Sequence, residues 1–471
     1  MVAQRPRPAL LGAFARRSKI RARRQVWLLP MLAGGLLAIA APRAHAQQLI
    51  VPTPDIVRPP WNSQRVFDPW PLPELTDPSA REPVATEDKP IKERVYPEYQ
   101  ARGIRSGSWM FYPSLRAGTL YDSNVFSSAT NAQADFAARF GAGLHAQSLW
   151  ERHGIDLQLM TDSLVYRNHS GLNQTDVSFR GTGKLDIDST TQLLATLQAA
   201  YLHIEVGSLT SPTGAVEPTP YGFLSSDITL RKEFGRVTTS LGTRVDSYDF
   251  GSTRAQNGSI INQDSRDGQI YTAYGRVDYA FSDKSAIFTS LEGNQRNLRG
   301  SPGTPLDSEG YRSLTGFDIA LTNLVRGEVA AGYQRQHFFA NSIGNVEGPA
   351  YRAFLTWTPS RRVDVFFNAE QVVTEISDTS TTGVLARAAQ LGVDYELRPN
   401  VVLSSALTYE KDLFKGQPRE DNVYVAETGL KYLANNVLSI ALKYRYSRRD
   451  SNIPVNSYDK HQISITASTR F

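Results

Sequence analysis

The sequence of 471 residues contains no cysteine. This absence excludes a disulfide framework, a zinc site with thiolate ligands and a cysteine nucleophile. Long hydrophobic runs are scarce as well, since the apolar stretch from Val26 to Ala41 contains Pro30 and is shorter than the ~20 residues that a membrane-spanning helix needs. The chain therefore carries no thiol chemistry, and this stretch is too short to act as a helical anchor.

An excess of one charge is found only at the start of the chain. Residues 1–46 contain nine Lys or Arg and no Asp or Glu, so the net charge of +5 leaves 42 basic and 46 acidic side chains in the remainder. There the basic residues are interspersed with acids, whereas a nucleic-acid-binding surface concentrates them. The sequence therefore predicts no nucleic-acid partner.

The first 46 residues are arranged like a secretory signal peptide. Residues 5–24 are basic, the apolar stretch follows, and Ala44-His45-Ala46 places small side chains before a cleavage site. We predict residues 1–46 to be a signal peptide that is cleaved after Ala46.

Proline is concentrated in the next segment, residues 47–108, which holds eleven of the 26 prolines. Proline has no N–H to donate to a strand ladder and favours extended chain. We interpret this segment as a periplasmic extension. Two roles remain open, a disordered spacer or a docking strap for a periplasmic partner with Trp61, Phe67 and Trp70 as aromatic anchors.

The final twelve residues, Lys460 to Phe471, alternate between two faces. Ile463 and Ile465 share a face with the terminal Phe471, and the residues between them are polar. A tilted strand of this length spans a bilayer, with one face against hydrocarbon and the other against water. We predict His461 to lie on the lipid side near the periplasmic rim. Phe471 resembles the terminal signal of outer-membrane barrels, which implies recognition by the barrel-assembly machinery.

Similar alternation recurs along residues 109–471 and predicts about eighteen strands, or sixteen if one pair has been divided wrongly. Tight connections such as Phe234-Gly235-Arg236 alternate with longer stretches such as Gly207 to Pro220, which we interpret as external loops. Short periplasmic turns that alternate with long external loops are typical of a membrane barrel with an even strand number. The predicted fold is all-β, a transmembrane antiparallel up-and-down β-barrel. The predicted strands are 112–122, 135–150, 153–167, 174–187, 191–205, 221–234, 236–250, 267–281, 284–298, 309–323, 326–340, 349–358, 361–376, 384–397, 400–412, 421–433, 436–448 and 460–471.

The alternation also assigns side chains to the two faces of the wall. Charged residues on the lipid face cost roughly 2–4 kcal/mol at mid-depth, so we expect the charged positions to face the lumen. The lumen-lining candidates are Arg139, His145, Asp156, Arg180, Lys184, Arg276, Asp278, Arg312, Asp318, Asp394, Glu396, Lys443 and Arg445. Aromatic residues beside the tight turns predict a periplasmic interface girdle. This girdle comprises Trp150, Phe234, Phe281, Trp357, Tyr395 and Tyr432.

The stretch Tyr121-Asp122-Ser123-Asn124-Val125-Phe126 resembles the opening strand and first loop of the putative β-barrel porin 2 family. Members of this family are outer-membrane proteins often associated with exopolysaccharide or capsule export. The resemblance covers residues 109–471 and implies an outer-membrane channel for polysaccharide secretion. For Asp122 and Asn124 themselves, turn chemistry is the expected role.

Other functions have weaker support in the residues. The histidines show no spacing typical of a catalytic triad, and no cluster of metal ligands is present, so we predict no enzymatic activity, no cofactor and no metal site. A general diffusion porin for small polar solutes is the first alternative to export, and an outer-membrane enzyme or an adhesive barrel the second. The mixed charges of the lumen could bind sugars or could pair with one another to stiffen the wall.

These inferences place the mature protein in the bacterial outer membrane, with its N-terminal segment in the periplasm. The expected partners are outer-membrane lipid and lipopolysaccharide, the barrel-assembly machinery and periplasmic polysaccharide-export components. The sequence alone does not fix the transported substrate, the pore size, a gate or plug, or the oligomeric state.

Overall fold

The structure, a computed structural model, describes residues 90–94, 96–282, 284–300, 307–322, 324–339, 345–374 and 383–471. The predicted signal peptide and most of the proline-rich segment lie outside these residues. Within them, no helix is both long and apolar enough to cross a membrane.

Eighteen long antiparallel strands form the wall, and each pairs with the next along the chain. They are β1 (Trp109–Asp122), β2 (Asp135–Ser148), β3 (Gly154–Tyr166), β4 (Gln174–Asp186), β5 (Thr191–Ile204), β6 (Thr219–Phe234), β7 (Val237–Phe250), β8 (Gly268–Ser282), β9 (Ser285–Leu298), β10 (Ser308–Thr322), β11 (Val325–Phe338), β12 (Val346–Ser360), β13 (Val363–Thr374), β14 (Gly383–Arg398), β15 (Val401–Lys415), β16 (Glu420–Leu433), β17 (Leu438–Ser451) and β18 (Tyr458–Arg470). The predicted fold and the strand number of eighteen are confirmed.

The sheet closes where β1 pairs with β18, from Ser114 opposite Arg470 to Asp122 opposite Gln462. Gly118 is needed at this seam, because a Cβ there would lie 2.5 Å from the carbonyl oxygen of Ile465. Closure satisfies the backbone hydrogen bonds of both edge strands, which is the condition for a sheet to stand in a bilayer.

The family-like stretch at the end of β1 strengthens the seam. Asp122 accepts a hydrogen bond from the Asn124 backbone N–H at 2.9 Å, which is the expected turn chemistry. The same carboxylate lies 3.0 Å from Lys460 Nζ and accepts a bond of 2.8 Å from Gln462 Nε2, both on β18. Asp122 therefore links the first strand to the last.

The two faces of the wall differ as the alternation predicts. Large apolar side chains such as Phe140, Phe317 and Leu391 are exposed on the outer face. Buried positions of the inner face are largely polar or charged, and the buried apolar residues form only small separate clusters. This molecule is thus apolar outside and polar inside, the arrangement that hydrocarbon and lumen water require.

The connections define two ends of the barrel. At the turn end, strands are joined by two to five residues; at the loop end, the connections have four to 17 residues. Chain entry into β1 and the terminal Phe471 both lie at the turn end. His461 is the fourth residue of β18, opposite Tyr446, so it lies near the loop end. Its prediction for the outer face is right, and its prediction for the periplasmic rim is wrong.

The wall opens locally between β12 and β13 at the loop end. Their pairing stops at Arg352 opposite Glu370, while β13 continues to pair with β14 as far as Thr374. Pro349 lies in the part of β12 that pairs with β11 but not with β13, so its missing N–H costs no ladder bond on the β13 side. Its carbonyl oxygen accepts a hydrogen bond from Gln371 Nε2 instead. This gap explains why a proline is tolerated at this position of β12.

Short strands accompany the barrel at both ends. Ile104–Ser106 pairs with the start of β1 as a hairpin through Gly107, whose φ of 57° suits glycine. Thr253–Arg254 pairs with Ile260–Ile261 inside the connection between β7 and β8.

Candidate functional site

The lumen is the candidate functional site, because the charged side chains converge there. All thirteen predicted lumen residues occupy inward positions of the alternation, and none is exposed. Their role in passing a solute stays a prediction, since placement alone does not test it.

One charge network crosses β8, β10, β11 and β12. The Arg276 guanidinium lies 2.7 Å from a carboxylate oxygen of Asp278 and 2.7 Å from one of Glu328. Arg352 bonds the other oxygen of Glu328 through Nε at 2.8 Å, and Asp318 lies 4.0 Å from Arg276. The Arg276 guanidinium also stacks 3.7 Å above the Phe288 ring, a cation–π contact. These charges hold one another in place.

Similar pairs occupy other parts of the wall. Arg139 bonds Asp162 at 2.8 Å through Nε, His145 bonds the buried Asp156, and Lys443 lies 2.8 Å from Glu427. Sequence reasoning named the basic member of most pairs but missed several acids. The missed acids, Asp162, Glu328, Glu370 and Glu427, could have been found by extending the alternation along each strand.

Histidines lie in structural pairs. His145 stacks on Tyr112 at 5.5 Å between ring centroids, and His169 bonds the Asp135 carboxylate at 2.8 Å through Nδ1. Each pair ties neighbouring parts of the wall together. Within the described residues, no group of three or more His, Asp or Glu side chains is arranged to hold a metal ion.

The connection between β5 and β6, residues 205–218, crosses the loop end of the lumen, and we call it the crossing loop. Leu209 is 2% exposed and packs in one apolar cluster with Val384, Ala386 and Phe414 of β14 and β15. Eight strands lie between β5 and β14 in either direction around the eighteen-stranded wall, so the loop tip contacts the opposite side. The predicted long connection at Gly207 to Pro220 lies at the loop end, and the burial of Leu209 draws its tip inward across the lumen.

The base of the crossing loop is fixed to neighbouring loops. The Val216 N–H donates to the Arg254 carbonyl oxygen at 2.9 Å, and Thr253 Oγ1 donates to the Glu217 carbonyl oxygen at 2.7 Å. Val206 packs with Val125 and Leu172 from two other loops. These contacts span three connections, so the loop is braced at its base as well as at its tip.

Glu205, the first residue of the crossing loop, is its principal charge. Burial raises the pKa of this carboxyl to about 7, and nearby Asp122 and Asp176 raise it further while Lys460 and Arg445 lower it. The side chain is half-buried, so its charge changes near neutral pH at the loop-end mouth.

An acidic pair lies below the loop tip. Glu410 and Asp412 are 2% and 0% exposed on the inner face of β15, and both carboxylate oxygens of Asp412 have no hydrogen-bond partner among the described protein atoms. Arg449 is 4% exposed, and its Nε and Nη2 atoms likewise have no hydrogen-bond partner among the described protein atoms. A hydroxyl group of a solute can both donate and accept hydrogen bonds, so it could bond the carboxylate oxygens and the guanidinium nitrogens of this patch.

Residues 90–94 and 96, which we call the strap, lie inside the turn end against β13 and β14. Lys92 Nζ lies 2.9 Å from an Asp394 oxygen, and Arg94 Nη1 lies 2.8 Å from a Glu396 oxygen. Tyr96 donates its hydroxyl to the same Glu396 oxygen at 2.7 Å. Burial, together with this bond, raises the pKa of Tyr96 to about 12, so the hydroxyl keeps its proton. The strap is held mainly by charge.

The predicted girdle residues lie on the outer face at the turn end. All six are at least 37% exposed. Exposed aromatic rings at one level of a membrane wall suit the water–lipid interface. Their lipid contact stays a prediction.

A closed antiparallel wall with an apolar outer face and a charged, partly obstructed lumen defines a porin-type membrane barrel. The sequence profile described as "Putative beta-barrel porin 2" matches residues 96–471. The chain belongs to this family, as the resemblance at Tyr121 to Phe126 predicted, and it is an outer-membrane β-barrel porin. No curated protein sequence matches it significantly.

Solved structures are similar in fold. OpdL of Pseudomonas aeruginosa is 15% identical, with a TM-score of 0.44 over 78% of this chain and 100% of that one. OccK2 (OpdF) of Pseudomonas aeruginosa, solved in complex with glucuronate, is 12% identical, with a TM-score of 0.47 over 79% and 100%. A BenF-like porin from Pseudomonas fluorescens Pf-5 is 13% identical, with a TM-score of 0.44 over 77% and 99%.

Proposed function

We propose that this porin is a diffusion channel for small polar solutes whose lumen is narrowed by the crossing loop. The observation that carries the proposal is the contact of Leu209 with Val384, Ala386 and Phe414 on the opposite wall. A loop that divides the mouth limits the width of a solute that can pass. The charges of the wall are largely neutralised by one another, which favours neutral polar solutes over ions of one sign.

The proposal includes an orientation. Bacterial outer-membrane barrels place short turns in the periplasm and long loops outside. The turn end, with the strap, would then face the periplasm, and the crossing loop would face the exterior. Removal of residues 1–46 as a signal peptide and a periplasmic position of residues 47–108 belong to the same proposal.

Swelling of proteoliposomes in sugars of increasing size tests the proposal. The wild type is compared with a variant in which residues 208–214 are replaced by a short Gly-Ser linker, and with Thr213→Asp, an exposed change in the same loop. We expect the wild type and Thr213→Asp to admit small sugars and to exclude oligosaccharides, and the shortened loop to admit larger ones. Equal size limits in all three would contradict a narrowing role.

A second candidate is secretion of an exopolysaccharide or capsular polysaccharide. The family resemblance supports it, and so does the strap, because an exporter whose turn end is obstructed could be opened by a periplasmic component. Deletion of the gene followed by measurement of cell-surface polysaccharide separates the candidates. Unchanged surface polysaccharide together with lost sugar uptake would favour diffusion, and the reverse result would favour export.

A further inference from the structure

The inner wall at the turn end contains three neighbouring carboxylates with an unusual set of partners. Asp364 on β13 is 2% exposed, and Asp394 and Glu396 on β14 are 4% and 7% exposed. Thr358 Oγ1 donates to Asp364 at 2.7 Å. Among the described residues, however, the cations bonded to Asp394 and Glu396 come from the strap rather than from the wall.

In the charge network around Arg276, by contrast, the wall neutralises its own acids. Glu328 on β11 is held by Arg352 on the adjacent β12 and by Arg276 on β8, and both cations belong to the wall. A buried carboxylate without a cation is costly, so acids that the wall leaves without a base need one from another segment. The three turn-end carboxylates, which we call the acidic cradle, are in this condition.

The strap fits the acidic cradle through both side chains and backbone. The Ile91 N–H donates a hydrogen bond to the Asp364 carboxylate. Lys92 forms an ion pair with Asp394, and Arg94 forms one with Glu396. The Tyr96 hydroxyl donates a hydrogen bond to Glu396. Lys92 Nζ also lies 5.0 Å from the centroid of the Phe366 ring. Ile91 itself is 4% exposed. A short basic segment, which includes a 3₁₀ turn at Ile91–Glu93, is thus bound at successive positions.

We propose that the acidic cradle is a docking site for a short basic peptide, and that the strap occupies it as a removable plug. This inference rests on the proposed channel function. The strap is continuous with β1 yet contacts β13 and β14, and β15 to β18 separate these strands from β1 around the wall. Its release would widen the turn end and expose three carboxylates to the lumen. The freed channel would conduct better and prefer cations.

The test compares the full-length protein with Lys92→Glu/Arg94→Glu in planar bilayers. Arg105→Glu is the control. Arg105 lies before β1, outside the strap, and its side chain is exposed and bonds the Gly107 carbonyl oxygen rather than a carboxylate. We expect the double variant to show a severalfold higher conductance and a reversal potential shifted towards cation selectivity, and the control to match the wild type. A heat-modifiable band on gels confirms that each barrel has folded.

A synthetic peptide of residues 90–100 then serves as the ligand. Added to the double variant, it should restore the low conductance from one side of the bilayer only, whereas the same peptide with both charge reversals should not. A second variant, Asp394→Asn/Glu396→Gln, keeps the strap charges but neutralises two carboxylates of the cradle. It should match the first variant in conductance but lack its cation selectivity, and it should not respond to the peptide.

The possible failures are distinguishable. If the double variant conducts and selects ions as the wild type does, or if the peptide has no effect, the plug is refuted while the channel stands. If neither the wild type nor any variant conducts although all are folded, the channel itself is refuted.

Discussion

The two obstructions of the lumen differ in what holds them. At the loop end, Leu209 of the crossing loop is buried among apolar side chains and its base is bonded to other loops through the backbone. At the turn end, the strap is held mainly by ion pairs to the acidic cradle. Salt does not weaken apolar burial, whereas it screens ion pairs, more strongly at the half-exposed Lys92 than at the buried Arg94. The comparison indicates a fixed constriction at one end and an adjustable one at the other.

The largest expected effect comes from breaking the apolar contact. Leu209→Asp places a charge among Val384, Ala386 and Phe414, where a buried polar group without a partner costs about 1–3 kcal/mol. A change of that size shifts the ratio of released to docked loop by roughly 5- to 150-fold. We expect a marked rise in single-channel conductance, with the barrel still folded. A conductance equal to that of Thr213→Asp would show that the contact does not narrow the channel.

A smaller effect is expected from the wall side of the same contact. Phe414→Ala removes part of the surface that receives Leu209, at a cost of at most about 3 kcal/mol because lumen water can fill the space. We expect more frequent transitions between conductance levels. Combined with Leu209→Ala, the two changes should be non-additive, as they are for residues in contact. If the effects of the two substitutions on the conductance were strictly additive, Leu209 and Phe414 would not act through a shared contact.

A change of ionic strength should affect the conductance through the strap at the turn end, and the effect should be smaller than those of the substitutions in the crossing-loop contact. From 0.1 M to 1 M salt the Debye length falls from about 10 Å to about 3 Å, which weakens the half-exposed Lys92–Asp394 pair of the strap but not the apolar contact of the crossing loop. Conductance divided by bulk conductivity should therefore rise modestly in the wild type. In Lys92→Glu/Arg94→Glu, which has already lost the ion pairs, the normalised value should stay flat. An equal rise of the normalised conductance in both proteins would contradict the proposal that ion pairs of the strap obstruct the turn end.

The smallest effect concerns pH at the loop end. Since the pKa of Glu205 is raised to about 7, the carboxyl is mostly neutral at pH 6 and mostly charged at pH 8. Cation selectivity should therefore increase as pH rises through 7, and Glu205→Gln should remove this part of the change. The folded state also binds the proton more tightly than the unfolded one, so this residue lowers stability as pH rises from about 4.5 to 7. Identical titrations of both proteins would contradict this role.

Much of the fold follows from local sequence. Alternation over ten or more residues predicts each strand and its faces, and short polar connections predict the turn end. The strand predicted at 349–358 illustrates the limit, because β12 begins earlier, at Val346, and includes Pro349. From sequence alone, Pro349 indicates the start of the strand, because the end of the β12–β13 pairing at Arg352 is visible only in the structure.

The candidate site was predictable only in part. Inward charges such as Arg276 and Asp394 follow from alternation, but their partners lie on other strands or, for Asp394, in the strap. The position of Leu209 depends on a contact with the opposite wall, eight strands away, for which the local sequence carries no periodic signal. Long-range contacts within a lumen therefore had to be read from the structure.

The most direct test of the account joins Leu209 to the opposite wall. The chain has no cysteine, so Leu209→Cys/Val384→Cys introduces a single possible disulfide. We predict that mild oxidation of the folded barrel in bilayers forms this bond readily and leaves the conductance near the wild-type value, because the loop already rests there. Failure to cross-link, or a sharp fall in conductance on oxidation that reductant reverses, would show that the crossing loop normally lies elsewhere.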